Sequence, residues 1–101
     1  MKQYCYRLYT EDKDREAITN LVKACGFNSF NLTRAVGYWL NTKELSLCIE
    51  IIGDRDASTK TRLLAGALRV LNNQAAVYWV AWPIDAELIG AEDSSAEGIT
   101  L

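Results

Sequence analysis

The chain has 101 residues, half of them hydrophobic, and a formal net charge of −2. That length makes one domain with a single core and little surplus burial. The charge excludes a generally basic nucleic-acid binder, and the absence of any histidine excludes Ser-His-Asp and Cys-His nucleophile systems and every His-ligated metal site.

Taken in chain order, "QYCYRLY" (3–9) alternates and is aromatic, which predicts a strand. "TEDKDREAITNLVKACG" (10–26) predicts a helix. Ile18, Leu21, Val22 and Cys25 recur at helical spacing, Thr10 or Asp12 is placed to cap its start, and Gly26 stands where a left-handed C-cap is expected. Residues 27–41 predict a second strand from about Phe30, and 41–44 ("NTKE") a turn. "LSLCIEII" (45–52) is the cleanest strand, with Leu45, Leu47, Ile49 and Ile51 in one row and Ser46, Cys48 and Glu50 in the other. "GDRDAS" (53–58) is a loop that supplies caps. A second amphipathic helix follows over 59–73, and a last strand over 74–82 ends at Pro83. Within that helix, Gly66 is expected to permit close packing on the sheet. "DAELIG" (85–90) is a candidate extra helical turn.

The order β-α-β-β-α-β predicts an α+β fold, the ferredoxin-like plait. It has a four-stranded antiparallel sheet in the order 4-1-3-2, with both helices on one face. The expected domain is 1–83. Residues 84–101 carry five acidic and no basic residues, so they form an acidic tail that is expected to dock on a more basic surface.

One sheet face is then left without helices. A hairpin turning at Thr42–Lys43 sets Trp39, Gly37 and Ala35 beside Ser46, Cys48 and Glu50 on that open face. The first strand adds Cys5, Arg7 and Tyr9. The last adds either Val77, Trp79 and Ala81 or Tyr78, Val80 and Trp82, a parity that pattern alone leaves open. A face floored by small residues and rimmed by tryptophan and tyrosine is unlike a solvated one and marks a contact surface. The candidate ligand or interface residues are therefore Tyr9, Arg7, Trp39, Gly37, Cys48, Glu50, Trp79 and Trp82. Arg7 is an anion anchor and Glu50 its neighbouring-strand counter-charge. Gly37 and Cys48 leave room for close approach.

Several chemistries find no support. Cys5, Cys25 and Cys48 are odd in number and lack metal spacing, so they read as reduced, buried and inert thiols. Asp54 and Asp56 read as helix caps rather than an acid–base pair. No phosphate-binding glycine loop occurs, and no cofactor or metal site is expected. The third strand lacks the aromatics with which RNA-recognition domains stack bases, and the basic residues sit on helices, which argues against nucleic acid. There is no long apolar run, and "MKQYCYRLYT" is polar, so no membrane association and a cytoplasmic location are expected.

The pattern "GYW…E.S..IEI.G", a helix, and then "NNQAAVYW" (72–79) resembles small uncharacterised bacterial proteins of ferredoxin-like fold, including products of mobile gene cassettes. The resemblance spans roughly residues 27–80. It implies the plait and a homodimer, and it implies no catalytic residue.

These observations favour a non-enzymatic binding or regulatory module. It would be a homodimer that uses the open face for self-association or for a small apolar or aromatic ligand. One alternative is a cofactor-free enzyme of the dimeric α+β barrel kind. The other is a protein adaptor or inhibitor acting through an edge strand or the acidic tail.

Overall fold

In the computed structural model the elements are β1 (Gln3–Glu11), α1 (Arg15–Ala24), β2 (Asn31–Trp39), β3 (Thr42–Gly53), α2 (Ala57–Leu71) and β4 (Tyr78–Ile84). The structure describes residues 2–90. The sheet is antiparallel throughout, in the order β2-β3-β1-β4, which is the expected plait read from its other edge.

Both helices cover one face. Tyr6 and Leu8 of β1 and Leu47, Ile49 and Ile51 of β3 meet Ile18 and Val22 of α1 and Leu64 and Leu68 of α2 in a single buried cluster. Strand alternation thus puts the even residues of β1 and the odd residues of β3 beneath the helices, as the pattern requires.

Element ends depart from expectation where local chemistry competes. Thr10 and Glu11 extend β1 instead of opening a helix. Asp14 caps α1, its carboxylate accepting from the Ala17 amide at 3.1 Å. Gly26, at φ +94°, ends α1 as expected. The Gly26 and Phe27 amides return to the carbonyls of Lys23 and Val22, a full Schellman cap. Asp54 closes the start of α2 through its carboxylate and its carbonyl, and that carbonyl also accepts the buried Tyr6 hydroxyl at 2.6 Å. The expected close packing at Gly66 is absent: a Cβ there meets nothing within 4 Å, because the residue faces away from the sheet.

The last strand starts at Tyr78, later than expected, and runs through Pro83, which pairs with Tyr4. Proline is tolerated because β4 is an edge strand. Residues 85–90 carry no regular structure, so the expected helical turn is not formed, and Leu88 is almost fully exposed. The acidic tail lies outside the described residues from residue 91 onward. Among the described residues, no helix is long and apolar enough to cross a membrane.

The largest difference is in the hairpin. The turn falls at Leu40–Asn41, both at positive φ (49° and 67°), a two-residue turn whose twist suits a hairpin. The register becomes Ala35↔Ser46, Gly37↔Glu44 and Thr33↔Cys48, four residues from the expected one. A shift of four preserves every face and changes every neighbour. It also makes residues 36–45 an arm. The pairing of β1 with β3 ends at Glu11↔Ser46, so beyond that point the arm has no third strand.

Candidate functional site

The open face carries Arg7 and Glu50 opposite one another on β1 and β3, with the guanidinium Nε donating to the carboxylate at 2.8 Å. The two charges that the sequence puts on neighbouring strands do pair. The Glu50 hydrogen bond is the chief cause that holds Arg7 more firmly protonated than usual. Arg7 also lies over the Trp82 ring at 5.0 Å. Both charges are partly solvated, so the pair adds little to stability and serves mainly to fix side-chain positions.

Beneath these groups the thiols are covered. Cys5 lies between its cross-strand partners Ile52 and Trp82, and Cys48 between Tyr9 and Thr33. Both are buried, and burial is the largest cause of the upward shift of each thiol's pKa. Neither has the depressed pKa of a nucleophile.

The register Arg7↔Val80 resolves the parity of β4. Tyr78, Val80 and Trp82 share the open face, and Trp79 is on the helix side. There its indole N–H donates to the Thr61 hydroxyl at 2.8 Å. Its ring packs 6.2 Å from Tyr6, and Arg62 lies over it at 4.3 Å.

A groove of about 700 Å³ opens at the end of the sheet from which the arm projects. The open-face side chains in its lining are Tyr9, Glu11, Ala35, Trp39, Glu44, Ser46, Tyr78 and Val80, and its far wall is the segment 74–77. Gly37 forms part of the floor, where a Cβ would press on the Ser46 hydroxyl at 3.2 Å. Of the sequence candidates, the groove brings together Tyr9, Gly37, Trp39 and the edge of Trp79. Arg7, Cys48, Glu50 and Trp82 lie on the sheet outside its lining.

Glu11, Glu44 and Gln74 line the groove and were not singled out by sequence reasoning, and Tyr78 joins them through the β4 parity that the pattern left open. Gln74 holds the wall in place. Asn73 takes the left-handed position after α2, at φ 49°, and the Gln74 amide returns to the Arg69 carbonyl. The Gln74 Oε1 then accepts from the Thr10 hydroxyl (2.5 Å), the Glu11 amide (3.2 Å) and the Asn72 side-chain amide (3.2 Å). Its own amide donates to the Ala76 carbonyl at 2.6 Å. The signal available in the sequence was "NNQ" directly after an apolar helical stripe, a run suited to a polar C-cap. Among the described residues no group of three or more Cys, Asp or Glu side chains is placed to hold a metal ion.

No protein-family model matches the chain, and no curated protein matches it by sequence. Solved structures do share the fold. A DUF3240 family protein from Shewanella baltica OS155 superposes with a TM-score of 0.67 at 14% identity, covering 87% of this chain and 97% of that one. The B. subtilis GlnK–ATP complex gives 0.64 at 13% identity, covering 83% and 84%. A phage SAM lyase in its apo state gives 0.56 at 19% identity, covering 86% and 92%. At these identities the likeness is one of fold: the chain is a ferredoxin-like plait, as its strand order shows.

Proposed function

We propose that the protein is a homo-oligomeric binding or regulatory module that holds a small adenosyl compound in the groove between the arm and β4. The observation that carries this reading is the uncovered apolar character of that end of the molecule. Val36, Tyr38 and Leu45 on one face of the arm, Trp39 on the other and Leu40 at its tip are each at least half exposed, and Tyr78 lines the groove with Trp39. A two-stranded ribbon with that surface is marginal in water by itself. A second copy is the simplest cover, and a symmetric dimer the simplest closed assembly. The choice of ligand is supported by two fold relatives associated with adenosyl compounds: ATP is bound in the GlnK complex, and SAM is in the name of the lyase. The groove's aromatic rings suit a flat base.

An enzymatic reading needs Arg7, Glu50 and Tyr9 in one cavity. The groove holds Tyr9 alone of these, so binding is the better-supported role.

Sedimentation of the wild type and of Trp39→Arg tests the assembly, with a dimer or higher oligomer expected for the first and a monomer for the second. Tryptophan fluorescence titrated with ATP and with SAM tests the site. A wild-type monomer that leaves both ligands unbound would overturn the reading.

A further inference from the structure

The charge of the groove is one-sided. Among the described residues its lining contains no lysine and no arginine, and its only ionic side chains are Glu11 and Glu44. Glu11 has a partner, since the Lys13 ammonium lies 2.9 Å from its carboxylate. Lys13 is itself moored to the Asn72 carbonyl at 2.7 Å. Glu44 has no ion-pair partner among the described residues.

Its position explains why. Glu44 pairs across the arm with Gly37, which has no side chain to cover it. By strand alternation Lys43 and Arg34 point to the opposite face of the arm. The unpaired carboxylate therefore stands over the open floor of a groove whose other side chains include Tyr9, Trp39 and Tyr78. Aromatic faces attract cations, most strongly where water is displaced, and a carboxylate adds to that attraction. The same arrangement repels a polyphosphate, which needs lysine, arginine or a cradle of backbone amides.

We propose that the groove selects a small aromatic cation, with the Glu44 carboxylate as its charge partner, and rejects nucleoside polyphosphates. This deepens the reading of the groove as a ligand site and rests on it. Among adenosyl compounds it separates those bearing a sulfonium or ammonium group from those bearing phosphates.

The experiment compares ligands that differ in charge and little else. Intrinsic tryptophan fluorescence of the full chain is titrated with SAM, with its uncharged-sulfur counterpart S-adenosylhomocysteine, and with ATP. SAM is expected to bind about tenfold more tightly than the thioether, within the range of a cation held against aromatic faces, and ATP is expected not to saturate. In Glu44→Gln, a substitution on an arm that contributes nothing to the buried core, the preference for SAM over the thioether should fall several-fold, to what the aromatic faces alone supply. Tight ATP binding, or a SAM preference undiminished in Glu44→Gln, overturns the proposal. If no adenosyl compound binds, phenyltrimethylammonium and its neutral isostere tert-butylbenzene decide. A preference for the cation that depends on Glu44 upholds charge selection and discards the adenosyl ligand. Equal binding, or none, as when a second copy's arm fills the groove, overturns charge selection as well.

Discussion

The two halves of β3 carry the same apolar row under opposite conditions. Leu47, Ile49 and Ile51 lie beneath both helices and are buried, whereas Leu45, two residues earlier in the row, is 67% exposed. Nothing in the residue types distinguishes Leu45 from Leu47. The difference is what lies above and beside them: β1 stops pairing at Ser46, and the cluster buried with the helices ends at Leu47. An alternating pattern therefore states which side of a strand is apolar, and the neighbouring elements decide how far along it that side is covered.

Substitution on either side of the boundary gives the largest contrast. Ile49→Ala should cost about 2–5 kcal/mol, read as a lower midpoint in urea, whereas Leu45→Ala should cost no more than about 0.5 kcal/mol in a monomer. A Leu45→Ala penalty that grows with protein concentration would sharpen the comparison, since it would show the arm buried by another copy. At the junction of the two regions, Gln74→Ala leaves the Thr10 hydroxyl and the Glu11 amide without their acceptor, while the Asn72 side-chain amide keeps the Thr10 hydroxyl and the Glu11 carbonyl. It should lower stability by roughly 1–3 kcal/mol, with faster amide exchange at Glu11 as its local signature. At the arm's tip the expected change has the opposite sign. Leu40 holds a left-handed conformation that a bulky side chain disfavours, at a site that is 84% exposed. Leu40→Asn should therefore stabilise by about 0.5–1 kcal/mol, measured as a higher melting temperature.

The smallest effect concerns the packed half near neutral pH. Cys5, Cys48 and Tyr6 all have pKa values raised by burial, from ordinary values of 9.0, 9.0 and 10.0. Their folded forms hold protons that the unfolded chain gives up. The contribution is complete below about pH 9 and is lost as pH rises through the elevated folded values. Melting temperature should be flat from pH 7 to about 8.5 and fall above it. A thiol-directed alkylating reagent should modify Cys5 and Cys48 slowly at pH 8.

The plait, its strand order and the faces of β1, β2 and β3 were legible in the sequence. The hairpin register was not, because a leucine at positive φ is a poor guess for a turn and "NTKE" a better one. The faces survived because the error was even. Trp79 was ambiguous for a different reason. Pattern cannot rank Val77, Trp79 and Ala81 against Tyr78, Val80 and Trp82, and the choice is made by Thr61, which lies 18 residues away and receives the indole N–H. Gln74 escaped notice since its role depends on the backbone turn at Asn73 and on partners more than sixty residues distant.

That glutamine ties three parts of the chain through one oxygen. The end of β1, the cap of α2 and the rim of the groove meet at the same acceptor, so the rim cannot swing outward without slackening the helix terminus and the strand end together. Whatever settles against residues 74–77 consequently presses on a strut of the scaffold, and the stiffness of that strut limits how wide an occupant the cleft admits.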